Sequence, residues 1–256
     1  MSEQKVYIGT LYVGENEIDE CKTSVQKQTY KNITHEVFSY LPNKEAHDTL
    51  YSKFMELQNE YDYFIKLDAD MVFIRTTIIE ELVKIFEENK NLDHAMFSVH
   101  DWYSDSNIMG MHMFSNRVRW SVSKEVLFVD PDPKREGEKI IYWESPAPVA
   151  EHSPNPSIEE AFTFGYHRAL KVIQRGKWYK KTKQSKLQLS LLHKSWKCLV
   201  MDHDIRRLAV IKGAEKAFNT NNVHLFTKHN HKFSDDIEQI EGENIQLCVS
   251  KLSVSW

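Results

Sequence analysis

The chain has 256 residues, 41% of them apolar and 27% charged, and a net charge of −4, so no global basic field argues for nucleic acid. No apolar run reaches the roughly 18 residues needed to span a bilayer, and the N-terminus carries no signal-peptide core. Cys21, Cys198 and Cys248 are too far apart for a zinc knuckle or a disulfide framework, so a soluble protein of a reducing, cytoplasmic setting is expected.

Lys5 to Val13 is a short β run, followed by the polar loop Gly14-Glu15-Asn16-Glu17. Ile18, Cys21 and Val25 recur at helical spacing and predict a helix over 17–28. His35 to Leu41 reads as a second strand closed by Pro42-Asn43, and 44–59 as a helix with Ala46, Leu50, Phe54 and Leu57 on one face. That helix leads into the apolar run Tyr63-Phe64-Ile65-Lys66-Leu67. Strand–helix–strand–helix–strand implies parallel pairing and an α/β sheet. In such sheets ligands sit beyond the carboxyl ends of the strands, where Thr10, Pro42-Asn43, Asp68 and Asp70 all fall.

Asp68 and Asp70 close the third strand at spacing i, i+2, so both carboxylates can point to one side with Ala69 turned away. An unpaired buried carboxylate costs roughly several kcal/mol, and the pair therefore calls for a cation. A turn or helix-cap role is the alternative.

Further on, Ile78 to Asn89 predicts an amphipathic helix and Ala95 to Val99 a strand. The stretch 100–116 gathers His100, Asp101, Trp102, Tyr103, Asp105, Asn107, Gly110 and His112, groups able to stack on and hydrogen-bond a sugar, or simply to pack beside a turn. Asp130 to Gly137 reads as a turn, Lys139 to Trp143 as a strand, and Pro146, Pro148, Pro154 and Pro156 as an extended, stiff segment. Ser157-Ile158-Glu159-Glu160 has the form of a helix N-terminus, and Gly176 would end that helix. Residues 177–200 interleave lysines with Trp178, Tyr179, Trp196 and leucines. They read either as a peripheral membrane contact or as a scaffold helix with lysines in solvent, the second being favoured. Ile245 to Val249 looks β-like. A catalytic domain over 1–212 and an extension over 213–256 are expected, and a homo-oligomer stays open.

Thr10, the stretch Ser24-Val25-Gln26-Lys27-Gln28-Thr29-Tyr30, Leu67-Asp68-Ala69-Asp70, and Glu159-Glu160 followed by Arg168 and Gly176 together resemble GT-A-fold glycosyltransferases of the family 2 type. The resemblance covers roughly residues 5–176. It departs from the family where Ser39-Tyr40-Leu41-Pro42-Asn43 replaces an acidic segment and where the later pair is Glu159-Glu160.

The resemblance implies a GT-A-like, Rossmann-type, mostly parallel sheet flanked by helices, with a C-terminal helical or irregular extension. It implies transfer of a sugar from a nucleotide-sugar donor to a saccharide or lipid-linked saccharide acceptor, with Mn2+ or Mg2+ on the diphosphate. Asp70 would be the direct metal ligand and Asp68 a ribose or metal-shell contact. His152 stands among His203, His229 and His231 as a candidate third ligand. Glu160 or Glu159 would be the base, with Glu151 next. Donor contacts would come from Thr10, Leu11, Asn43, Lys44, His47, Asp48 and Ala69, and the acceptor pocket from Asp101, Trp102, Tyr103, Asn107 and Gly110. The rivals are a sugar-nucleotide nucleotidyltransferase, whose Gly-rich N-terminal loop Gly9-Thr10-Leu11-Tyr12 does not match, and a non-catalytic nucleotide- or sugar-binding module.

Overall fold

A computed structural model describes residues 4–122, 130–173, 178–220 and 233–252. They form two compact units, one of residues up to Asp101 together with Asn107–Pro154, the other of Trp102–Ser106 together with the residues from Asn155 onward. The expected domain boundary at 212/213 falls inside a helix, α6 (Ile205–Phe218).

The first unit is built on seven strands: β1 (Val6–Tyr12), β2 (Ile33–Ser39), β3 (Tyr63–Asp68), β4 (Met71–Phe73), β5 (His94–Asp101), β6 (Ser106–Ser115) and β7 (Tyr142–His152). Their order is β2-β1-β3-β6-β5-β7-β4. β1 runs parallel to β2 and β3, and β5 parallel to β7, while β6 opposes β3 and β4 opposes β7. The fold is therefore α/β with a mixed sheet, where a mostly parallel one was expected. Part of the stretch read as a polar pocket, 100–116, is itself the strand β6, which supplies the reversal.

Helices α1 (Ile18–Gln26), α2 (Asn43–Glu56) and α3 (Ile78–Glu88) cover the sheet. One core joins Val6, Ile8, Ile65 and Leu67 to Ile78, Leu82 and Phe86, and the other joins Tyr7 and Phe64 to Leu50, Tyr51, Phe54 and Trp120. Alternation along β3 puts Lys66 on the same side as Phe64, toward α2. Gly9 lets α2 approach, since a Cβ there would lie 2.1 Å from Leu50 Cδ1. The extended segment expected around the prolines includes the strand β7, which carries Pro146 and Pro148. Its ladder with β5 shifts register between Phe97 and Val99, the kind of irregularity at which a strand tolerates residues without an N–H.

The second unit is helical: α4 (Ile158–Ile173), α5 (Trp178–Asp202), α6, α7 (Ser234–Glu241) and α8 (Ile245–Leu252). α4 and α6 meet backbone to backbone. A Cβ at Gly165 would stand 1.8 Å from Val210 O, and one at Gly213 2.0 Å from Phe162 O. The β-like run at 245–249 is α8, because Asn244 Oδ1 accepts from Leu247 N at 3.1 Å and caps a helix. α5 packs one face inward and turns Lys183, Lys186, Lys194 and Lys197 outward. Leu191, Leu192, Trp196 and Leu199 are buried, and no helix among the described residues is long and apolar enough to cross a membrane.

Candidate active site at the strand ends of the first unit

β3 ends at Asp68, and Ala69-Asp70 form the turn into β4, so the two aspartates do not share a strand face. They serve different clusters. Ala69 between them is 1% exposed and has no surface to offer a donor.

Asp70 joins β7. Its Oδ2 lies 3.3 Å from His152 Nε2, while His152 Nδ1 bonds Asp101 Oδ1 at 2.8 Å. Asp101, at the end of β5, is fully buried, and register sets it opposite His152. Ser153 completes the corner from the left-handed region (φ 49°), giving its N–H to Asp70 O at 2.7 Å and its hydroxyl to Asp70 Oδ2 at 3.2 Å. Burial opposes charge on His152, but the Asp70 and Asp101 carboxylates outweigh it and push the imidazolium up to about 10. Asp101, expected to bind sugar hydroxyls, is closed to solvent and fixes the rotation of the His152 ring.

Asp68 faces Lys66, at 3.1 Å. The Lys66 ammonium is 3.4 Å from Asp130 Oδ1, the atom to which Tyr51 donates at 2.8 Å and which lies 3.6 Å from His47 Nε2. Burial alone would lower the Lys66 pKa, but Asp130 and Asp68 reverse it and hold it above the usual range, while Lys66 is foremost in drawing Asp130 below the usual carboxylate range. Beside them His112, paired across the ladder with Lys66, meets His94 at 2.9 Å, and burial keeps both imidazoles neutral. His112 was noted in the stretch 100–116, but Lys66, Tyr51, Asp130 and His94 were not singled out from the sequence. The one signal was a lysine inside an otherwise apolar strand.

Thr10 is fully buried, bonded through Oγ1 to His35 Nε2 at 3.0 Å, and Leu11 is half-buried beside Asp68 in the ladder. Cys21 Sγ points to Asp68 O at 3.9 Å, and burial, then the Asp70 charge, pushes its thiol up to about 12. Gln28 of the Q-T-Y stretch is structural: its side chain bonds Ser24 O, Arg75 O and Ile79 N, tying α1 to the start of α3.

Asn43 opens α2, and its carbonyl meets His47 Nδ1 at 2.8 Å, leaving His47 9% exposed. Lys44 and Asp48 pair at 2.6 Å. Both line an open cleft of about 710 Å³ between α2 and the edge strand β2. Its lining carries Glu36, Glu45, Asp48 and Glu56 against Lys44 and Lys53, a balance that repels a diphosphate, and it includes none of Asp68, Asp70 and His152.

Of the other expected site residues in this unit, Glu151 bonds His100 Nδ1 at 2.8 Å and both are partly exposed. Asn107 is exposed at the start of β6. Gly110 is partly exposed on β6, and a Cβ there would lie 3.1 Å from Val99 Cγ2.

In the second unit Tyr103 is 2% exposed and stacked on Phe164 at 4.0 Å, so its ring is core and closed to a sugar. Trp102 carries the guanidiniums of Arg206 and Arg207 at 4.2 and 4.6 Å. Glu160 and Ser157 form a reciprocal capping box, Ser157 N donating to Glu160 Oε2 at 2.6 Å and Glu160 N to Ser157 Oγ at 3.2 Å, while Glu159 is exposed. His203 ends α5 in the left-handed region, and His229 and His231 lie outside the described residues. Among the described residues no three His, Cys, Asp or Glu groups stand close enough together to hold a metal, so the trio Asp68, Asp70 and His152 reduces to the pair Asp70 and His152.

No protein-family model and no curated protein matches the sequence. Among solved structures the chain is similar to a mannosyltransferase from Pyrobaculum calidifontis in complex with GDP-Man and Mn2+, at 11% identity over 95% of this chain and 83% of that one, TM-score 0.38. It is similar to a CMP:2-keto-3-deoxy-manno-octonic acid synthetase complexed with CTP, at 12% identity over 44% of this chain and 74% of that one, TM-score 0.30. A protein from STIV matches at 14% identity and TM-score 0.34 over 43% of this chain, which spans only 64% of that protein. Likenesses at such scores establish neither family nor activity.

Proposed function

We propose that this chain is a metal-dependent glycosyltransferase, moving a sugar from a nucleotide-sugar to a saccharide or lipid-linked saccharide. The observation that carries the reading is the Asp70–His152 pair, 3.3 Å apart, with the far nitrogen of His152 fastened to buried Asp101. A carboxylate with an orientated imidazole is a donor set that suits Mn2+, and an ion held by so few protein groups takes substrate phosphates and water for the rest of its shell. When bound, the ion supplies a Lewis acid for the departing diphosphate.

The chain's own residues do the rest. Asp101 keeps Nδ1 of His152 engaged so that only Nε2 is offered. Ser153 holds Asp70 by backbone and hydroxyl. Asp68, steadied by Lys66, has a carboxylate more than a third exposed at the end of β3, suited to accept from ribose hydroxyls. Loss of the His152 proton is part of metal binding, because the imidazole must be neutral to ligate. The acceptor's proton goes to a carboxylate, for which Glu151 beside His100 is the candidate within the first unit.

Asp70→Asn tests the reading by thermal shift with Mn2+ and nucleoside diphosphates. In the parent, ligand at about a hundredfold its Kd adds roughly 2.7 kcal/mol of stability. In the variant that gain disappears, while the ligand-free protein melts within a few degrees of the parent because Asp101 still holds His152. Full sugar transfer by Asp70→Asn, or by the parent in EDTA, would remove the metal role. Release of pyrophosphate from a nucleoside triphosphate, rather than of nucleoside diphosphate from a nucleotide-sugar, would hand the chain to the nucleotidyltransferase reading.

A further inference from the structure

α5 carries a stripe that neither the fold nor the proposed chemistry uses. From Trp178 to Met201 the sequence contains no acidic residue and six lysines. Four of these, Lys183, Lys186, Lys194 and Lys197, are exposed, and they fall with Ser190 and Met201 at successive intervals of three or four, hence on one side of the helix. The stripe is roughly 27 Å long at helical rise. Among the described residues none of the four lysines has an ion-pair partner, although acidic and basic side chains elsewhere in the unit pair readily, as Lys216 does with Asp236. Exposed apolar groups accompany them: Leu187 is 51% and Met201 75% exposed, with Leu189 and Val200 along one flank.

We infer that the solvent face of α5 docks on an anionic lipid surface. Lysines without partners supply the long-range attraction, and Leu187, Leu189, Val200 and Met201 reach the headgroup–acyl boundary once the helix lies flat. The opposite face packs Leu191, Leu192, Trp196 and Leu199 inward, so the helix lies on a membrane without crossing it. Trp196, expected at the interface, is only 7% exposed and takes no part. Nucleic acid fits less well. A single-strand binder presents aromatic platforms and arginines, and the exposed face from 183 to 201 has neither. The proposal does not depend on the sugar-transfer reading, since the stripe contains none of the residues assigned to it.

The test is co-sedimentation of the full chain with phosphatidylcholine vesicles, with and without about a third phosphatidylglycerol. Expected is binding to the anionic vesicles only, weakening as salt rises. Each Lys→Gln change at 183, 186, 194 or 197 should lower the partition coefficient about fivefold, and the quadruple variant several-hundredfold, with the melting temperature unchanged because all four side chains are in solvent. Leu187→Ser with Met201→Ser should weaken the binding that survives at high salt. Equal binding to both vesicle types, or an anionic binding that the quadruple variant retains, overturns the proposal. So does capture by an acidic polypeptide or an oligonucleotide with no binding to phosphatidylglycerol vesicles, which would make the stripe a macromolecular interface instead.

Discussion

Lys66→Met probes the polar cluster that steadies Asp68. The Lys66 ammonium stands 3.1 Å from Asp68 Oδ1 and 3.4 Å from Asp130 Oδ1, and its side chain is 7% exposed. At an effective dielectric of about 20 each contact is worth roughly 5 kcal/mol gross. Taking the ammonium out of water costs several kcal/mol, about the same order as one contact. The carboxylates are 36% and 49% exposed, so solvent screens both pairs and reduces the gross gain several-fold. Screened attraction and desolvation then nearly cancel, and the cost of Lys66→Met, about 2 kcal/mol, comes from leaving the two carboxylates without their cation. Methionine fills nearly the same volume, so no cavity adds to the loss.

Urea unfolding followed by tryptophan fluorescence should therefore show a lower midpoint with an unchanged slope. Asp130→Asn alone should cost about 1 kcal/mol, and the double variant less than the sum, with a coupling of about 1 kcal/mol. The pH dependence follows from the directions of the shifts. Asp130 is depressed below its ordinary value of 3.8, so its contribution is present above that pH and is lost as pH falls through the folded value. Lys66 is raised above 10.5, so its contribution is complete below that pH and is lost only above it. Parent and Lys66→Met should hence differ by a constant amount from pH 5 to 9 and converge in acid. A variant as stable as the parent, or strict additivity in the double variant, refutes the reasoning and makes the cluster energetically idle.

Two further outcomes follow. Burial, with a neighbouring charge second, holds His94 down to about 3 and His112 to about 4 against 6.5 unfolded. The unfolded chain therefore takes up protons first, and stability that is full above pH 6.5 is lost as pH falls toward the folded values. At least about 2 kcal/mol should go between pH 7 and 5, and His94→Gln should flatten that decline in urea titrations at each pH; a flat parent profile would contradict the buried-neutral pair. Glu160 separates cap from catalyst: Glu160→Ala breaks the capping box at about 1 kcal/mol, whereas Glu160→Gln keeps it. If Glu160 is the base, the glutamine variant loses about 10²-fold or more in kcat at an unchanged melting temperature. A loss below threefold passes the role to Glu151.

The alternation of strand and helix through residue 70 was readable because apolar period and turn residues coincide there, as in Ala46, Leu50 and Phe54 on α2 and Pro42-Asn43 before it. What periodicity does not carry is pairing between distant strands. Nothing local in Ser106 to Ser115 says that β6 inserts antiparallel against β3 and turns a parallel sheet into a mixed one. Asp70 and His152 were both legible as metal-ligand types, but their meeting depends on β4 pairing with β7, which sets Met71 opposite His152 across 80 intervening positions of chain order. The split of the two aspartates was hidden for a different reason: the i, i+2 argument holds only while the strand continues, and here it stops at Asp68. The proline-rich segment was legible as extended chain, but its pairing with β5 was not, because prolines give no sign of the bulge that receives them.

The burial of Cys21, Cys198 and Cys248 has a practical side. With its thiol pushed up to about 12, Cys21 is thiolate in roughly one molecule in 10⁵ at neutral pH, and burial also raises Cys248. Folded protein should thus be nearly inert to thiol reagents. A single cysteine placed on an exposed position such as Ser190 would then be the one fast-reacting thiol among the described residues. An environment-sensitive dye there would report directly on what the α5 surface touches, without removal of any native cysteine.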